Sequence, residues 1–112
     1  MDKFELEVIS ALRELDIPVH MKGYQFIKTA MNLIHQDPSI IYAITKELYP
    51  AVAEIHGTIG SRVERGIRHA LGNANSDFMT QKKVLGTSRE LVSSEFLATL
   101  TEVINVKMVG VV

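Results

Sequence analysis

The chain has 112 residues, 46% of them hydrophobic, which suffices for one core and is too few for two ordinary domains, so residues 1–112 are expected to form a single unit. It contains no cysteine, which excludes a disulfide framework and a thiolate zinc site, and no apolar run approaches the ~18 residues that span a bilayer. The net charge is only −1, and the acidic start Met1-Asp2-Lys3-Phe4-Glu5 does not read as a signal peptide, so a cytoplasmic location is expected.

Phe4, Val8, Ile9, Leu12 and Leu15 recur at helical spacing and predict a first helix. It should end before Ile17-Pro18, because the residue preceding proline is pushed out of the α region. After Gly23, the positions Tyr24, Ile27, Met31 and Ile34 predict a second amphipathic helix. Asp37-Pro38 reads as an N-cap followed by proline at the first helical position, opening a third helix through Ile41, Ile44 and Leu48. Pro50 repeats that device.

From Leu48 to Leu71 a short helix, a turn centred on Gly57 and an arginine-rich helix follow with almost no slack, the layout of a helix-turn-helix. Gly57 suits a backbone position of positive φ, and Ala53, four residues earlier, is small enough for two helices to cross closely. Val63 should pack back on Val52 and Ala53, whereas His56 and Thr58 stand where such motifs usually place apolar residues. At 100° per residue, Ile59, Val63, Ile67, Ala70 and Leu71 share one face of the second helix, expected to dock on the core. Ser61, Glu64, Arg65 and Arg68 share the other.

Gly72-Asn73-Ala74-Asn75 reads as a stop and a loop. A short helix is expected over Phe78 to Leu85, ending at Gly86. A longer one should run from Ser93 to Ile104, capped by Ser93 or Ser94, with Phe96, Leu97, Leu100, Val103 and Ile104 as its buried stripe. Val106 to Val112 is β-prone and is left as a tail that packs, pairs with a partner or frays. The fold class that results is all-α, a bundle of about six helices containing a helix-turn-helix.

Charge is unevenly distributed. Residues 1–21 carry a balance of −3 and residues 56–89 a balance of +4, from Arg62, Arg65, Arg68, Lys82, Lys83 and Arg89 against Glu64 and Asp77. The positive charge therefore lies where the motif lies, which favours phosphate within a Debye length. A plainer reading of Glu64 and Arg68, four residues apart, is a surface ion pair. His20, His35, His56 and His69 lack the i, i+4 pairing of a metal site, and there is neither a glycine-rich phosphate loop nor a nucleophile elbow. No enzyme activity, metal or cofactor is expected.

Met21-Lys22-Gly23-Tyr24, Ile44-Thr45-Lys46-Glu47-Leu48-Tyr49-Pro50, Ser61-Arg62-Val63-Glu64-Arg65-Gly66-Ile67-Arg68-His69-Ala70 and Ser94-Glu95-Phe96 follow one another in this order. With these four motifs the chain, over roughly residues 5 to 105, resembles the C-terminal effector domain of the sporulation master response regulator, the stage zero sporulation protein A family. The resemblance implies an all-helical, nucleoid-associated transcriptional regulator that binds short boxes in sporulation-type promoters. It implies that Glu64, Arg65 and Arg68 read bases in the major groove, which agrees with the chemistry. Arginine donates two parallel bonds to guanine O6 and N7, and glutamate accepts from the cytosine amino group. Thr58, Ser61 and Arg62, near the start or flank of that helix, are expected on phosphate, as are His69, Lys22 and Lys46.

Family members carry an amino-terminal receiver domain. This chain begins almost at the effector's first helix, so a stand-alone effector without a phosphorylation switch is expected, acting as a dimer or as tandem copies on double-stranded DNA. The connection from Leu71 to Ser94 is shorter than in typical members, where that region helps contact the RNA polymerase sigma factor. The alternative is a protein-interaction module that competes with or modulates a full-length sporulation regulator or the sigma factor.

Overall fold

In the computed structural model, which describes residues 1–110, the first helix starts where the sequence supplies an aspartate. Asp2 has extended backbone, and its Oδ1 accepts the Glu5 amide at 2.8 Å, capping α1 (Lys3–Glu14). The helix ends as Asp16 turns into the left-handed region at φ 54°, a conformation that aspartate tolerates better than most residues. The other helices are α2 (Lys22–Gln36), α3 (Tyr49–His56), α4 (Gly60–Gly72), α5 (Phe78–Leu85) and α6 (Ser93–Val109). Among the described residues there is no strand, and no helix is long and apolar enough to cross a membrane.

The span expected to be a third α-helix is built differently. Pro38–Ala43 is a 3-10 segment and Ile44–Leu48 a π segment, running into α3 without a break. Asp37 stands at the N-cap position, but its carboxylate accepts the Ser39 hydroxyl at 2.6 Å instead of a backbone amide. Pro50 lies in the first turn of α3, but the chain enters that turn from the π segment without a break, so its missing N–H takes one donor out of the ladder there. The Tyr49 amide reaches back five residues to Ile44, so the wider turn absorbs the change of register.

One core joins the elements. Phe4, Leu12, Ile27, Met31, Ile34, Leu48, Ile67, Leu97, Leu100 and Ile104 are almost wholly removed from water. Val52, Ala53 and Val63 are buried with them, as the helix-turn-helix reading requires. Gly57 adopts φ 68° at the end of α3, and a Cβ there would meet nothing within 4 Å, so backbone conformation and not space favours glycine.

Four expectations on α4 and α6 need correction. Ile59 is not on the core face of α4, because it is the extended N-cap residue outside the helix, 59% exposed. Neither Ser93 nor Ser94 caps α6; Val92 holds that position, its amide donating to Glu95 Oε1 at 3.2 Å, and Ser93 is the first, buried, helical residue. Val103 is only half-buried. The stretch Val106–Val109 continues α6 as helix until Gly110 ends it at φ 74°, while Val111 and Val112 lie outside the described residues.

α5 depends on a cap. Asp77 Oδ1 accepts the Thr80 amide at 2.8 Å, and chiefly for that reason its carboxyl titrates below the ordinary aspartate range. The stabilisation is therefore present above the unfolded value of about 3.9 and lost as pH falls through the lower folded value. Acidification through that window should reduce protection of the Thr80 amide before that of α2. Asp77→Ala should give the same fraying at neutral pH, as measured by hydrogen exchange.

Candidate nucleic-acid interface

α4 docks through Val63, Ile67 and Ala70, three fully buried residues at helical spacing. Its remaining surface leaves Ser61, Arg62, Arg65, Arg68 and His69 exposed. The helix is held against α2 by a glycine on each side. A Cβ on Gly23 would lie 2.0 Å from the Gly66 carbonyl oxygen, and one on Gly66 would lie 2.8 Å from the Phe26 ring. Glycine at 23 is what lets the two backbones approach this closely, and glycine at 66 leaves room for the Phe26 ring.

That approach carries the amino-terminal turn of α2 to the edge of α4. Lys22 and Gln25 join Thr58, Arg62, Arg65, Arg68 and His69 around one concavity, and among the described residues no carboxylate lines it. Among the described residues Lys22, Arg62 and Arg65 make no ion pair, so their charge is available to an incoming anion. The first turn of α4 adds donors. Ile59 has no side-chain acceptor, which leaves the Gly60 and Ser61 amides without a side-chain cap, at the end of the helix where the dipole favours negative charge.

Of the nine residues singled out from the sequence, Lys22, Thr58, Arg62, Arg65, Arg68 and His69 meet in this concavity. Ser61 is exposed on the first turn of the same helix, and Lys46 is exposed on the π segment, outside the concavity. Glu64 is placed differently. Its carboxylate is turned to the flank of α4, where Oε2 accepts from Arg68 Nε at 3.3 Å and from the Ser93 hydroxyl at 3.2 Å. The surface ion pair anticipated from the spacing is thus formed, with Arg68 two-thirds exposed. Tyr49 feels the same carboxylate: its phenol is pushed up to about 12, first by burial and then by the charge of Glu64.

The two off-pattern residues of the turn also have partners. His56 Nε2 is hydrogen-bonded to Thr29 Oγ1 at 2.8 Å, and its ring meets Phe26 edge-on at 5.1 Å, fastening the end of α3 to α2. Thr58 is half-buried, and its amide closes α3 by donating to the Ala53 carbonyl at 2.9 Å. Gln25, at the rim, was not singled out from the sequence. Its only signal is its place one turn after Lys22, outside the motif that carries that lysine.

The family model described as sporulation initiation factor Spo0A C terminal matches residues 8–104, from within α1 to the last core residue of α6. The chain belongs to this family. The Spo0A C-terminal family consists of DNA-binding effector domains and not of enzymes, so the cationic concavity on α4 sits on a domain whose ligand is double-stranded DNA. Among the described residues no three metal-ligating side chains converge.

Proposed function

We propose that this domain is a sequence-specific transcriptional regulator that inserts α4 into the major groove of short, CG-containing promoter boxes. The observation that carries the reading is the concavity itself, in which cations from α2 and α4 gather with no carboxylate among the described residues. Arg65 and Arg68 donate to guanine, and Glu64 accepts from cytosine through whichever oxygen its own partners leave open. Lys22, Thr58, Ser61, Arg62 and His69 hold phosphates on either side and fix the register, and Lys46 extends the same contact outward. One helix in one groove reads only a few base pairs, which favours tandem copies or a dimer on DNA.

The decisive measurement compares a TGTCGAA-like duplex with a scrambled one across a salt series. Preference for the first that persists as salt rises supports base reading; equal affinity for both at every salt concentration would overturn it. Lys22→Ala should weaken both duplexes alike and lower the slope of log K against log salt by about 1. A second role on the same domain is favoured by Phe78, Met79 and Val92, which are largely exposed, with Phe78 and Val92 beside a groove between α4, α5 and α6. That surface suits a protein partner such as a sigma factor or a full-length regulator, and co-purification of the wild type but not of Phe78→Ser would support it.

A further inference from the structure

We propose that Ser93, on α6 and outside the helix-turn-helix, is a positioning residue that sets specificity by holding the Glu64 carboxylate in its reading orientation. The inference rests on the base-reading role proposed for Glu64. A glutamate on a helix surface has several rotamers, and a contact made by one of them must first pay the entropy of the others. Here two donors from different elements, the Ser93 hydroxyl at 3.2 Å and Arg68 Nε at 3.3 Å, converge on one oxygen, Oε2. Among the described residues Oε1 has no donor. The carboxylate is therefore held through one oxygen, and the other, without a donor, is left to accept from a cytosine amino group.

Ser93 is suited to this work by its place. It is 5% exposed, so its hydroxyl has little access to competing water. The residue before it holds the N-cap position, and the Val92 amide is already satisfied by Glu95 Oε1 at 3.2 Å. The Ser93 side chain is consequently not used to cap its own helix, and its bond crosses 29 residues of sequence to α4. Tyr49, whose phenol is pushed up first by burial and then by the charge of Glu64, stays neutral through the physiological range and adds no second anion near that carboxylate.

The test measures wild type, Ser93→Ala, Glu64→Ala and the double variant against duplexes carrying each base-pair change across the box, and against random DNA. Glu64→Ala marks the base pair that Glu64 reads. Ser93→Ala should cut discrimination at that pair by roughly threefold to tenfold, the effect of releasing one pre-organised side chain. Affinity for random DNA and the salt slope should stay at the wild-type values. In the Glu64→Ala background the second substitution should add nothing.

Undiminished discrimination in Ser93→Ala, beside a clear loss in Glu64→Ala, overturns the positioning role and leaves base reading intact. A loss spread evenly over all base pairs and random DNA overturns it as well, in favour of a role in folding alone. Wild-type discrimination in Glu64→Ala removes the base-reading role and this inference with it.

Discussion

Gly23→Ala is expected to destabilise the domain by about 3 kcal/mol or more, at or beyond the upper end of what overpacking costs. The added Cβ would sit 2.0 Å from the Gly66 carbonyl oxygen and 2.7 Å from the Ala70 side chain. A side chain can rotate away from an intruder, but a backbone carbonyl inside a helix cannot move without its whole turn. Relief therefore requires α2 and α4 to separate, and both helices carry fully buried residues, Ile27 and Met31 on one, Val63 and Ile67 on the other. Gly72→Ala is the control. A Cβ there meets nothing within 4 Å, and the residue is the last of α4, so the substitution should be neutral or stabilising by up to ~1 kcal/mol. Denaturant midpoints for the two variants measure the contrast, and a Gly23→Ala midpoint equal to wild type would show that the crossing is looser than the backbone distance implies.

Arg65→Ala is expected to lose about 1–3 kcal/mol on a CG-containing box, with a much smaller loss on scrambled DNA. Its guanidinium is exposed and makes no ion pair among the described residues, so nothing in the fold depends on it and the denaturation midpoint should not move. Arg65→Lys separates charge from shape. The ammonium keeps the attraction to phosphate but lacks the planar fork that matches guanine O6 and N7, so discrimination should fall while the salt slope stays. If Arg65→Ala weakens both duplexes by the same factor, the residue is a phosphate contact and the reading falls to Arg68. That residue differs in one respect: it already shares Glu64, a surface pair that contributes at most a few tenths of a kcal/mol and is easily exchanged for a base.

Helices with a clean apolar stripe were legible from the sequence. Phe4, Val8 and Leu12, or Val63, Ile67 and Ala70, recur at a spacing that only a helix can bring to one side, and the structure buries all six. The stretch 38–48 was misread because proline and aspartate announce that a helix begins without fixing its hydrogen-bond register. That register is decided by Pro50, which cannot donate, and by the five-residue reach of the Tyr49 amide. Ile59 was misplaced because angular counting assigns a face to every residue, including one whose extended backbone puts it outside the helix. Valines at 106 and 109 favour strand by propensity, yet Ile104 and Met108 pack on the core and carry the helix on to Gly110, which ends it in the left-handed region.

The interface divides in the same way. The charges of α4 were visible because they lie on one helix, and Lys22 because it sits in a family motif. Gln25 and Ser93 were not, since each reaches α4 only through tertiary packing, one across the paired glycines and the other across 29 residues. Nothing local in the sequence marks either relationship.

The meeting of Gly23 and Gly66 turns the domain into a ruler. Because peptide backbone approaches peptide backbone there, the spacing of the two backbones that carry the lysine of α2 and the arginines of α4 is set with no side chain between them. On the base-reading role proposed for Arg65 and Arg68, exchanging either would rewrite letters of the target while the calibration against the DNA sugar-phosphate rail is kept. Any change at the two glycines shifts every mark at once.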